Sequence, residues 1–131
     1  VGSDDSGGDA DAAVWTSTDG ETWERVPHDE EAFGGLRGQQ MLAVTTGGPG
    51  LVAVGEDQEA QGAAVWVSED GLAWSRVAQQ EALAGGGILG VTAAGPGLVA
   101  VGKHDPPVWT STDGVTWEGV ADQESLAGVE L

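Results

Sequence analysis

The chain has 131 residues with 22 acidic against 4 basic side chains, a net charge of −18. That balance argues against nucleic acid and anionic membrane surfaces as partners, because each phosphate contact calls for a Lys or Arg. The absence of cysteine excludes disulfide and thiolate-metal frameworks, and no apolar run approaches the roughly 20 residues of a membrane-spanning helix.

In chain order, the first feature is the acidic loop Gly2-Ser3-Asp4-Asp5-Ser6-Gly7-Gly8-Asp9-Ala10-Asp11. Asp4, Asp5, Asp9 and Asp11 can offer oxygen ligands to a hard cation such as Ca²⁺, but their order is not that of an EF-hand. The corresponding stretches Glu56-Asp57-Gln58-Glu59 and Lys103-His104-Asp105-Pro106-Pro107 do not repeat the pattern. A solvated acidic loop is therefore the default reading, and no cofactor is expected beyond this one candidate ion. His28 and His104 stand in different loop types, without a second His or Cys at ligand spacing.

Next comes a phrase written three times: Val14-Trp15-Thr16-Ser17-Thr18-Asp19-Gly20-Glu21-Thr22-Trp23, then Val65 to Trp74, then Val108 to Trp117. All six tryptophans fall in these copies, each pair eight residues apart. A β-branched run, an Asp-Gly pair and a second aromatic run predict a β-hairpin, with Asp-Gly as its tight two-residue turn. Ser17, Asp19, Gly20 and Trp23 form the turn motif, with Ser68, Asp70, Gly71 and Trp74, and Ser111, Asp113, Gly114 and Trp117, as its repeats. Asp and Ser side chains in such turns accept backbone N–H bonds. Each second tryptophan is expected to cover its hairpin base, burying about 150–250 Å².

After each hairpin lies a short element: Asp29-Glu30-Glu31-Ala32-Phe33, Gln79-Gln80-Glu81-Ala82-Leu83, and Asp122-Gln123-Glu124-Ser125-Leu126. Each reads as one helical turn, anchored by Phe33, Leu83 or Leu126 and ended by the glycines that follow. The phrase Gly48-Pro49-Gly50-Leu51-Val52-Ala53-Val54-Gly55 returns unchanged from Gly95 to Gly102, 47 residues on. A period in the 40s, with only strand and turn signals, predicts all-β propeller blades of four antiparallel strands.

The middle blade reads as Met41–Val44, Leu51–Val54, Ala64–Ser68 and Ala73–Val77, from innermost to outermost strand. The inner pair is expected to be packed on both faces and the outer pair to alternate. The chain divides into residues 1–40 (the outer hairpin of a first blade plus a crossover), 41–87 (a second blade) and 88–131 (a third blade and the start of a crossover). About two and a half blades make an incomplete ring, since propellers typically have roughly 4 to 8. Two continuations are open: further blades of a longer polypeptide, which the strand count favours, or self-association through exposed edges.

Ser-x-Asp-Gly-x-Thr-Trp resembles the Asp-box, the bacterial neuraminidase repeat of sialidases and other secreted propellers, with one residue fewer between Asp and Trp. The resemblance implies that the box is structural and lies away from any catalytic centre, and that the chain is extracellular or at the cell surface. Sialidase chemistry, as the resemblance implies it, needs an arginine cluster and a tyrosine nucleophile. This chain has no tyrosine, and Arg25, Arg37 and Arg76 stand at unlike repeat positions or on outer strands. The expected function is a non-catalytic binding or scaffold segment for protein or glycan. The alternative is part of a secreted glycoside hydrolase whose catalytic residues lie outside this chain.

Overall fold

The computed structural model describes residues 1–5, 9–35, 38–58, 62–84, 86–94, 97–102 and 108–120. His104, Arg37 and the third crossover from Asp122 to Leu126 lie outside the described residues.

The described chain is all-β, with one four-residue helix and one 3₁₀ turn. In the first blade, β1 (Gly2–Asp4) pairs antiparallel with β2 (Asp11–Ala13), and β3 (Trp15–Thr16) pairs with β4 (Glu24–Arg25). Val14 lies between β2 and β3, and its carbonyl accepts from Val26 N–H at 2.9 Å, joining the two ladders. Helix α1 (Glu30–Phe33) then leads to the second blade, a four-stranded sheet of β5 (Gln39–Gly47), β6 (Gly50–Asp57), β7 (Gly62–Ser68) and β8 (Trp74–Arg76) in that order. A 3₁₀ turn (Glu81–Leu83) leads to the third, built of β9 (Ile88–Ala94), β10 (Gly97–Gly102), β11 (Val108–Ser111) and β12 (Glu118–Gly119). These are partial propeller blades: two four-stranded antiparallel sheets beside the outer part of a third.

Burial departs from expectation across each blade. The middle strands β6 and β7 are the buried ones, whereas the innermost strands are exposed along much of their length, with Leu42 41%, Val44 43% and Leu89 36% exposed. An innermost strand has a ladder partner on only one edge, and no described strand covers its other side. Both inner strands also carry a bulge, at the step from Met41 to Ala43 and at the step from Val101 to Gly102 on the β10 side. The residues left unpaired are Leu42 and Leu89, so the extra residue turns a leucine outward at the same place in each blade. The bulge explains an invariant letter of the repeat: a Cβ on Gly55 would meet the Gln40 carbonyl oxygen at 1.8 Å.

The core divides by junction rather than by blade. One cluster joins Ala12, Val14, Val26 and Phe33 of the first blade and its crossover to Ala53, Ala64, Trp66 and Trp74 of the second. The other joins Val52, Val54, Val65 and Val77 of the second to Leu98, Ala100, Trp109 and Trp117 of the third. Each blade thus presents a valine face forward and a tryptophan face backward. Period-two alternation along a strand produces this: Val65 and Trp66 are neighbours in sequence and point to opposite faces.

Candidate functional site

The repeated turn is larger than a two-residue hairpin. Ser68 pairs with Trp74, so Glu69–Ala73 form a five-residue loop between them. Asp70 is not a central turn residue but the anchor of the loop. Its Oδ1 accepts from Leu72 N–H at 2.8 Å and Ala73 N–H at 3.0 Å, while Ser68 Oγ accepts from Gly71 N–H at 2.8 Å. Asp19 and Ser17 do the same for Glu21, Thr22 and Gly20, and Asp113 and Ser111 for Val115, Thr116 and Gly114. The glycine after each Asp takes a positive φ, between 79° and 83°, a region open to Gly without a steric cost. Backbone donors hold all three carboxyls below the usual carboxylate range, with the most distant N–H in each loop the largest cause.

Of the second tryptophans, Trp74 and Trp117 are 7% and 3% exposed, and their indole N–H groups donate to the Gly71 and Gly114 carbonyls at 2.9 and 3.0 Å. Trp23 is 58% exposed. It does not cover its hairpin base as expected, because no preceding blade stands against it among the described residues. The first tryptophan of each later copy does a different job. Trp66 donates to the Ala32 carbonyl of α1 at 2.6 Å, and Trp109 donates to the Ala82 carbonyl of the 3₁₀ turn at 2.7 Å. Each blade is thereby pinned to the crossover before it.

Arg25 on β4 and Arg76 on β8 stand on outer strands, one of the two placements expected for the arginines, and they share one repeat position there. Arg76 Nη1 meets Asp57 Oδ2 at 2.7 Å, and its guanidinium lies 5.2 Å from the Trp66 ring centroid. Arg25 pairs with Asp4 in the same way and lies 5.5 Å from the Trp15 centroid. The signal was legible: Arg25 and Arg76 follow Trp23 and Trp74, the second tryptophans of their phrases, by two residues, and Asp4 and Asp57 follow Gly2 and Gly55 by two. Asp4, read as a calcium ligand, is thus engaged by Arg25. Asp5 and Asp9 flank the undescribed residues 6–8. Asp11 instead meets residues from outside the loop: His28 Nε2 lies 3.8 Å from its Oδ2 and 2.8 Å from Glu30 Oε2. Burial and the Glu30 charge push the Asp11 carboxyl up, with His28 working in the opposite direction.

The two junctions differ in how the cap of the crossover turn is used. Gln80 caps the 3₁₀ turn with its backbone alone, leaving its amide free to bridge the junction. Its Nε2 donates to the Val115 carbonyl at 2.5 Å and its Oε1 accepts from Trp117 N–H at 3.0 Å. At the first junction the capping residue is Asp29, whose Oδ1 folds back to accept from Glu31 and Ala32 N–H at 3.0 and 3.4 Å. An aspartate is one methylene shorter than glutamine and its side chain has no N–H to donate; it caps its own helix, and among the described residues no bond from its side chain crosses the junction. A groove of about 490 Å³ lies there, lined by Pro27, His28, Asp29, Glu30 and Phe33 on one side and Leu72, Ala73 and Trp74 on the other. Leu72 is 60% exposed and the Glu30 side chain 72%.

Stacked antiparallel sheets with one pinning bond per junction point to a propeller, and the family model of the DUF6242 beta propeller domain matches residues 1–86. The chain belongs to that family. No curated protein and no solved structure matches it. The matched span of this DUF6242 propeller contains the first junction and its groove whole.

Proposed function

We propose that this DUF6242 propeller is a non-catalytic binding or scaffold module for protein or glycan, and that a protein segment seats in the groove at the first junction. The asymmetry of the junctions carries the reading. On a nearly identical frame, the second junction is closed by Gln80 and the first is left open beside Asp29. An opening that the frame itself does not require is where function is expected to reside.

The chemistry of the groove favours a cationic peptide. Its walls are apolar at Pro27, Leu72 and Trp74, and its rim carries the Asp29 and Glu30 carboxylates with Asp11 beside them. A Lys or Arg side chain matches that layout, with an apolar stem for the wall and a charged head for the rim. The net charge of −18 adds long-range attraction for such a ligand. The side-chain-closed Ser–Asp turns support kinship with the Asp-box propellers, and with it an extracellular setting.

The test is a titration of the protein with a decapeptide of alternating Leu and Lys, against a neutral gluco-oligosaccharide, followed by tryptophan fluorescence and calorimetry. Peptide binding is expected, and Leu72→Asp and Glu30→Gln should each weaken it. Glu81→Gln makes the same charge change at the second junction and should not. Equal losses for Glu30→Gln and Glu81→Gln would mean non-specific attraction and overturn the groove. Oligosaccharide binding without peptide binding would overturn the choice of a protein ligand.

A further inference from the structure

Asp11, His28 and Glu30 bring one imidazole and two carboxylates together, with one donor atom of each lying within 4.8 Å of the other two. His28 Nε2 stands 2.8 Å from Glu30 Oε2 and 3.8 Å from Asp11 Oδ2. Around an ion held tetrahedrally at about 2.0–2.1 Å, neighbouring ligand atoms lie about 3.3 Å apart. Both spacings fall within about 0.5 Å of that edge, so small rotations of the side chains seat an ion.

The repeat shows that the frame does not require this cluster. Phe33 follows Trp23 by ten residues, whereas Leu83 follows Trp74 and Leu126 follows Trp117 by nine. The first crossover therefore has one residue more, with Pro27-His28 where the second has Ala78. Asp11 precedes Val14 by three residues, as Gly62 precedes Val65, and Glu30 precedes Phe33 by three, as Gln80 precedes Leu83. Neither Gly62 nor the neutral amide of Gln80 offers a charged ligand. A fourth change serves Glu30 itself. Its carboxylate lies over Gly34, where an added Cβ would collide with the carboxylate oxygens, and the second crossover has Ala84 in that place. Gly34 keeps open the space that lets Glu30 fold back to the His28 ring.

We propose that Asp11, His28 and Glu30 form a binding site for a divalent metal ion of the Zn²⁺ class. An imidazole with two carboxylates suits such an ion better than Ca²⁺, which takes about 6–8 oxygen ligands. The cation candidate thereby moves from the acidic loop, whose Asp4 is engaged by Arg25, to a strand and the crossover that follows the hairpin.

The metal-free cluster sets two carboxylates against a single imidazole. A divalent ion compensates both charges and takes the place of the hydrogen bond between His28 and Glu30. Three protein ligands leave a further position for water or a group of a bound molecule. His28 and Glu30 also line the first-junction groove. The ion site does not rest on the peptide reading, because it is assayed with the metal alone.

The test is a calorimetric titration of the 131-residue chain with Zn²⁺ and, separately, with Ca²⁺, at physiological ionic strength to screen diffuse attraction. One zinc ion per chain is expected, bound at least about 10-fold more tightly than calcium. Asp11→Asn and His28→Ala should each weaken zinc binding at least about 10-fold, the lower end for loss of an outer-shell partner. Gly34→Ala keeps all three ligands and acts through Glu30; it should weaken binding by about 10-fold. His104→Ala, which removes the other histidine, should leave zinc affinity unchanged. Near-UV circular dichroism on each variant checks that it remains folded. A wild-type chain without saturable zinc binding overturns the proposal, as does a folded His28→Ala variant that binds zinc like wild type. Equal losses for His28→Ala and His104→Ala would mean diffuse attraction to an acidic chain and overturn the site. Calcium bound as tightly as zinc would overturn the choice of ion, and wild-type affinity in Gly34→Ala would remove Glu30 from the ligand set.

Discussion

The two blade junctions are made from nearly the same residues, yet one is shut and the other open. At the second, Gln80 spans the gap and bonds to Val115 and Trp117; at the first, Asp29 turns back on its own helix. Both cap the turn of their crossover, but they are not equivalent letters of the repeat: in the crossover phrase Gln80 lines up with Glu30 and Asp29 with Gln79, so the cap is set differently at the two junctions. The pinning bonds from Trp66 and Trp109 are common to both junctions, as are the valine-against-tryptophan cores. What the frame repeats is therefore stability, and what it varies is access.

The comparison breaks first at its tryptophans. Trp66→Ala should cost about 3–5 kcal/mol, since it opens a cavity in the first junction core and strands the Ala32 carbonyl. Trp109→Ala should cost about as much at the second junction. Trp23→Ala, at 58% exposure, should fall within roughly 0.5 kcal/mol of wild type. Urea denaturation of the three variants checks this, and similar losses at Trp23 and Trp66 would contradict the face assignment.

The repeated ion pairs offer the next contrast. Asp57 is 7% exposed and also accepts from Gln39 Nε2 at 3.1 Å, so Asp57→Ala leaves Arg76 without its partner in a half-buried site and should cost about 3 kcal/mol. The Arg25–Asp4 pair is more exposed, at 35% and 27%, and Asp4→Ala should cost below about 1 kcal/mol. Thermal melts of the two alanine variants measure the gap.

The clasp itself is a smaller effect. Gln80→Ala removes two bonds across the second junction and should lower stability by about 1–3 kcal/mol, at roughly 0.5–1.5 per bond. Asp29→Gln tests the reverse. It forfeits an N-cap worth about 1 kcal/mol, but a bridging glutamine should close the groove and abolish peptide binding.

The smallest and broadest effect is on pH. Asp19, Asp70 and Asp113 are held below the usual carboxylate range by loop N–H donors. A depressed folded value means stability present above the unfolded carboxylate range, near pH 4, and lost as pH falls through the lower folded values. The melting temperature should therefore decline as pH falls below the ordinary carboxylate range, and less steeply in the triple Asp→Asn variant.

Several features could be read from residues before any fold was known. The six tryptophans at fixed spacing and the 47-residue phrase announce repeated four-stranded blades, because strand alternation and turn chemistry are local properties. Side-chain acceptors at Ser17 and Asp19 were equally legible, since their bonds reach only two or three residues along the chain. The Arg–Asp pairs were within reach too, for anyone aligning Gly2-Ser3-Asp4 with Gly55-Glu56-Asp57, but acidic residues are so numerous here that one pairing does not stand out.

Tertiary structure alone decided the rest. Trp23 and Trp74 occupy identical places in their phrases, and only the presence or absence of a neighbouring blade makes one exposed and the other buried. The exposed inner leucines follow from bulges that no local pattern marks. Asp11, His28 and Glu30 come together from a strand and a crossover 17 or more residues away, a distance that motif spacing does not encode. The groove exists because a carboxylate that caps its own helix cannot also reach across a junction. The sequence names both capping residues, but only packing shows that Gln80 reaches the neighbouring hairpin while Asp29 bonds to its own helix.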